Sequence, residues 1–183
     1  MKMAQETSIL TIAQIMGKTI QDILARSARM QVAVSKTAQM LQSLQMCEDI
    51  SAFVSFYGSY NGILVMNFHR AAAVEIVANS FRTMGLPEAE IPKHHMSESV
   101  RSSLGELLNQ IIGGARATIQ SVFDLTAEAN IPAVVPITTP IGLVFKSSTI
   151  EQMPCCRLSF LTDNKNRFHM DLTIEPTLFV PLK

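Results

Sequence analysis

Ile9, Ile12, Ala13, Met16, Ile20, Ile23 and Leu24 return at spacings of three and four residues, which predicts an amphipathic helix over residues 6–28. Val32 and Val34 then begin an extended stretch, whereas residues 35–50 are more polar than a core strand. The pattern changes again in "SAFVSFYGSYNGILVMNF", residues 51–68. Aromatic and β-branched residues dominate it and Asn61-Gly62 is a turn signal, so two strands around a Gly58-to-Gly62 turn are expected. Helical character resumes over residues 69–84 and stops near Gly85, ahead of a loop marked by Pro87 and Pro92.

Ser97 suits an N-cap and Glu98 suits the positive end of a helix dipole. A long helix follows to about Val122. Beyond it, "ANIPAVVPITTPIGLVF" is β-branched and interrupted by proline, as edge or irregular strands are. The last segment alternates: Leu158 and Phe160, then Phe168, Met170, Leu172 and Ile174 across the turn "DNKN", predict a half-buried antiparallel hairpin. No βαβ alternation and no internal repeat is visible. The expected fold is α+β, a two-layer α/β sandwich with long helices on one face of a mostly antiparallel sheet, in one domain over residues 1–183.

The helix that starts near Ser97 has an unusual polar side. With Leu104 set at zero, Leu107, Leu108, Ile111, Ile112, Ala115 and Ile119 fall within about 80° of it on a 100° wheel. Ser102, Glu106, Asn109 and Gly113 fall within about 40° of the opposite direction. Glu106 and Asn109 are neighbours at i, i+3, so both side chains reach one point. A carboxylate holds an ammonium group, and a carboxamide both donates to and accepts from water. No His or Cys stands nearby as a base, so the pair positions a reactant better than it attacks one. Gly113 and Gly114 are expected to leave bare backbone for an approaching surface.

Composition narrows the function classes. Lys and Arg number 15 against 15 Asp and Glu, with no basic run, which argues against nucleic-acid binding. At 48% hydrophobic residues the chain builds a substantial core. No segment approaches the roughly 20 apolar residues of a membrane span. Gln5, Glu6, Gln14 and Lys18 interrupt any signal-like apolar run near the start, and three cysteines make no disulfide framework, so the expected compartment is the cytoplasm. His94 and His95 are adjacent on a loop, a poor arrangement for one metal ion, and no metal site is expected. On a strand, Cys155 and Cys156 project to opposite faces, so one is expected in the core and one exposed. His169 falls on the polar side of its strand, and the 11 methionines read as flexible core filling. "GGAR" at 113–116 lies inside a helix and lacks the context of a phosphate loop.

The segment around the pair resembles the active helix of the CheC/CheX family of chemotaxis phosphatases. That family is marked by Asp or Ser, three residues, Glu, two residues, Asn, twenty-two residues and Pro, and Ser102, Glu106, Asn109 and Pro132 keep this spacing. Gly113 and "GEL" at 105–107 match as well, whereas Leu108 stands where the family commonly has Gly. The order of elements is similar to the single-motif CheX layout. The resemblance implies hydrolysis of the phosphoaspartate of a CheY-like receiver domain. Asn109 then orients the attacking water and Glu106 pairs with a receiver lysine, as catalytic residues. Ser102, Gly113 and Pro132 are supporting motif positions. It also implies Mg²⁺ carried by the receiver, no cofactor of the chain's own, and homodimers paired through sheet edges. The alternative on the same architecture is a non-catalytic interaction protein resembling the FliM-type switch domain.

Overall fold

The computed structural model describes residues 2–145, 153–175 and 177, with residues 2–8 as backbone only. Alternation along the strands decides the architecture. Strands β1 (Ala33–Val34), β2 (Gln39–Leu41), β3 (Leu44–Met46), β4 (Ile50–Gly58) and β5 (Gly62–Phe68) precede β6 (Ala127–Ala129), β7 (Ala133–Pro136), β8 (Ile141–Leu143), β9 (Cys155–Leu161) and β10 (Arg167–Ile174). The main sheet runs β1-β9-β10-β5-β4-β6, antiparallel at every pairing, with β2 also on β9 and β7 also on β4. Register aligns Ile50, Phe68, Phe168 and Phe160 in one row, then Ala52, Met66, Met170 and Leu158, then Val54, Leu64, Leu172 and Cys156. These rows form one buried apolar face. Phe168 stacks on Phe160 at 4.8 Å and on Phe68 at 5.6 Å between ring centroids, adding specific aromatic contacts to the area removed from water.

Helices α1 (Lys2–Ser27), α2 (Arg70–Thr83) and α3 (Glu98–Phe123) cover that face. The expected helix at 6–28 therefore starts earlier in the chain. α3 starts where its sequence indicates: the Ser97 hydroxyl accepts from the Val100 amide. It stops at Asp124, which takes the left-handed conformation at φ 56°. The stripe predicted to face inward is buried throughout, Leu104 to Ile119. The expected α+β sandwich with helices on one face of an antiparallel sheet is what the chain forms.

The second face of the sheet is covered over its central part, which overturns one expectation. β3 and β8 pair as a separate two-stranded ribbon, and Leu44 and Met46 pack with Val65 and Cys155 on the side opposite the helices. Cys155 and Cys156 do project to opposite faces, yet both are buried, because each face has its own cover. Burial pushes both thiols up, that of Cys156 to about 12, so both stay protonated at neutral pH. Residues 35–50, read as too polar for a core strand, supply the edge strand β2 and β3, one of the ribbon's two strands.

Polar groups under the ribbon are satisfied by design of the register. Asp171, 0% exposed, takes two bonds from the Arg157 guanidinium, at 2.6 and 2.7 Å, and a third from the Gln45 amide at 3.2 Å. Asn67 donates to the Gln45 carbonyl at 2.7 Å and accepts from the Ser51 hydroxyl at 2.6 Å. His169, on the polar side as expected, is half-buried with Nδ1 3.0 Å from Ser159 Oγ and Nε2 3.5 Å from Glu48 Oε1. On the helix side, Glu75 fastens the β9–β10 turn to α2 by accepting from Thr162, Asn164 and Asn166.

Removing one partner of the buried pair leaves a charge without compensation. Asp171→Ala is expected to lower the unfolding free energy by about 3–5 kcal/mol in urea titration, and Asp171→Leu combined with Arg157→Met to cost less than that single change. Burial, and then the Arg157 charge, holds the His169 pKa below its ordinary 6.5. The unfolded chain therefore binds a proton that the folded chain does not, and stability falls as pH drops from 6.5 toward the folded-state value. In His169→Gln this part of the acid loss should vanish from urea midpoints measured across that range.

Candidate functional site

The orientation of α3 follows from its buried stripe, which turns Ser102, Glu106, Asn109 and Gly113 outward, all exposed. The other wall of the site comes from the sheet edge. β6 pairs Ala129 with Phe56, and β7 pairs Ala133 with Phe53. Between those pairs, residues 130–132 face only Val54 and Ser55, so the edge carries one extra residue, a β-bulge. Asn130 ties the bulge down through its amide to the Ser55 carbonyl at 2.9 Å and its carboxamide to Ser55 Oγ at 2.7 Å. The extra residue pushes Ile131 and Pro132 out toward α3, and Pro132 has no N–H to leave unpaired there.

Ser102, Glu106, Asn109 and Pro132 consequently line one open groove of about 440 Å³, with Glu98 and Arg101 at one end. Glu106 Oε1 accepts from Gln110 Nε2 at 3.3 Å. Asn109 uses no side-chain hydrogen bond among the described residues, so its donors and acceptor are available to an incoming group. The four motif positions meet at one place. Gly113 continues the same face one turn further, with open space where a Cβ would stand. Gly114 does not: a Cβ there would lie 3.0 Å from Thr19 Cγ2, so the second glycine serves close packing against α1 rather than an external surface. Leu108, the departure from the family pattern, is buried in the stripe and leaves the polar face intact.

Three features were not singled out in the sequence. Ile131 is 91% exposed beside Pro132, although its β-branched setting reads as a strand. Arg116, further along α3, has its Nε sealed from solvent without a hydrogen-bond partner among the described residues, a deficit of about 1–3 kcal/mol. It lines a second groove of about 680 Å³ with Gly113, Tyr57 and Glu128, and Glu128 is held by the Tyr57 hydroxyl at 3.1 Å. On the opposite flank, Ser102 and Glu106 border a cleft of about 480 Å³ against Ile76, Val77 and the exposed Met84 of the α2 end. His94 and His95 stack at 4.9 Å between centroids instead of converging on a point, and His94 Nδ1 accepts from the Met96 amide.

A sequence family described as "Protein of unknown function (DUF3334)" matches residues 4–183. The chain belongs to this family. No curated protein matches it. Among solved structures, the DUF3334 chain is similar to the chemotaxis protein CheX from Desulfovibrio desulfuricans, at 20% identity and a TM-score of 0.74, covering 90% of this chain and 99% of that one. It is similar to the structure of the CheX-CheY-BeF3-Mg²⁺ complex from Borrelia burgdorferi, at 12% identity, TM-score 0.64, and 89% and 97% coverage. FliY of Thermotoga maritima matches at 15% identity, TM-score 0.63, over 96% of this chain and 91% of that one. The DUF3334 chain thus has the fold of CheX and CheC-like proteins, as its motif helix leads one to expect. Among its described residues, no helix is long and apolar enough to cross a membrane.

The two glycines give the site a steric test. Gly113→Ala should raise the unfolding free energy by up to about 1 kcal/mol, since it adds helix propensity and meets nothing. Gly114→Val should lower it by about 1–3 kcal/mol through overpacking against α1. Urea titration of the two variants side by side measures both signs.

Proposed function

We propose that this protein hydrolyses the aspartyl phosphate of a response-regulator receiver domain. The observation that carries the reading is the placing of Glu106 beside Asn109, which makes no side-chain hydrogen bond among the described residues, on an outward helix face next to Pro132 in an open groove. The likeness to a CheX solved with CheY, BeF3 and Mg²⁺ supports it further.

The chemistry suits these residues. In the proposed reaction a water oxygen bonds to phosphorus, the bond from phosphorus to the aspartyl oxygen breaks, and carboxylate and inorganic phosphate leave. Such transfers are accelerated mainly by positioning and electrostatics, so the chain needs no nucleophile of its own. The Asn109 carboxamide accepts from the water and fixes its line of approach. Glu106 pairs with a receiver ammonium group and fixes the angle of docking. Mg²⁺ belongs to the receiver in this reading, and the encounter takes place in the cytoplasm. Ser102 and Gly113 keep the helix face small enough for close approach, and homodimers paired through the sheet edge at β1 and β2 leave that access open.

A FliM-like interaction protein is the competing reading, favoured by the equally open groove and the likeness to FliY. Phosphate release from a panel of phosphorylated receivers separates the two. Asn109→Ala is expected to lose about a hundredfold in the catalysed rate, the cost of a misplaced reactant. Equal rates for wild type and Asn109→Ala across the panel would overturn the catalytic reading.

A further inference from the structure

The Glu106–Asn109 groove is the first of two that follow one another along α3, a furrow in two separate sections. α3 forms one wall along its length, and the chain from β6 through the bulge to β7 forms the other. Two features in that furrow bear on what it receives. Ile131 stands almost wholly in water on a bulge that two hydrogen bonds hold in place. Arg116, whose charge acts on the Tyr57 and Tyr60 phenols, has a buried Nε with no acceptor among the described residues, although an acid, Glu128, lies on the facing wall. No ion pair joins the two among the described residues, and Tyr57 engages Glu128 instead.

We infer that the docking surface for the receiver extends along this furrow, with Ile131 as its apolar anchor and Arg116 as the anchor for a receiver carboxylate. The inference rests on the phosphatase reading and names what else the partner must bring. Arg116 lies seven positions after Asn109, roughly 10 Å along the helix at 1.5 Å per residue. The complementary carboxylate therefore sits on the rim of the receiver's face, away from its phosphorylated aspartate. The charge pattern is polar along the helix: Glu106 takes a cation, and Arg116 an anion, so a receiver presented the wrong way round meets two like-charge contacts. Turning onto a carboxylate gives the guanidinium a two-bond partner and relieves the unmatched Nε. Ile131, exposed on a bulge whose neighbouring Asn130 is fastened to Ser55, enters an apolar recess with little backbone ordering.

The test measures affinity for purified receiver domains activated with beryllofluoride and Mg²⁺, at low and high salt, together with phosphate release. Arg116→Gln and Ile131→Ser are each expected to weaken binding about tenfold, with thermal melts no lower than in wild type. Arg116→Gln should also flatten the salt dependence, which a merely structural role would not do. Their effect on release should lie in KM rather than kcat. If both variants bind as wild type while Asn109→Ala has lost release, the extended surface is wrong and the phosphatase reading stands. If both bind weakly while Asn109→Ala releases phosphate normally, the surface stands and the catalytic reading falls. Failure of the wild type to bind any receiver in the panel overturns both.

Discussion

Leu104, Leu107, Leu108, Ile111, Ile112, Ala115 and Ile119 have a single place to go, between α1 and the sheet, and that constraint orients everything on the other side of α3. Burying such side chains is worth roughly 1.5–3 kcal/mol each, so a rotation of the helix by a quarter turn would forfeit several such contributions. No polar interaction around Glu106 or Asn109 has to aim them. Their direction is a by-product of the core, which leaves the carboxamide of Asn109 without a structural bond among the described residues. A site built this way stays poised without a partner, because its geometry is fixed from behind.

The second layer of constraint lies on the far side of the sheet. A strand sequence such as "RFHMDLTI" carries His169, Asp171 and Thr173 on the face away from the helices, which normally signals solvent. Here the β3–β8 ribbon covers that face, and it does so because β3 offers backbone groups in register with Asp171 and Asn67. Arg157 closes the set with a bidentate pair on the neighbouring strand. The ribbon therefore depends on polar matching as well as on the apolar packing of Leu44 and Met46, whereas the helices depend on apolar area. Breaking the match at Asp171 is costly for that reason.

These two kinds of burial explain what was legible in the sequence. Periodicity finds α1, α2, α3 and the β4–β5 and β9–β10 hairpins, since each turns one apolar face to one core. The motif face of α3 is legible by the same logic. The ribbon is not, because a strand segment with polar residues on alternate positions looks the same whether water or a matched backbone covers it. The expectation that one of Cys155 and Cys156 is exposed fails for this cause. Ile131 escaped notice differently: a one-residue bulge moves a side chain from an edge strand into solvent, and register is invisible before the pairing partner is known. Arg116 is likewise a matter of three-dimensional neighbours, since nothing in "GGAR" reveals that one nitrogen is enclosed.

The shape of the site bears on how specificity can arise. A groove of about 440 Å³ open to solvent excludes no water and encloses no small substrate, so it lacks the features by which a closed pocket selects its ligand. If the reacting atoms come on another protein, selection passes to the area of contact around them. A pair as small as Glu106 and Asn109 supplies too little of that area to tell one receiver from another, since specific protein interfaces bury on the order of 800 Å² per partner. Discrimination then has to reside in the flanks: the furrow wall raised by the bulge on one side, and the cleft under Met84 on the other. Proteins sharing this fold could thus keep one reaction geometry and differ in partner by changing residues that never approach the phosphoryl group.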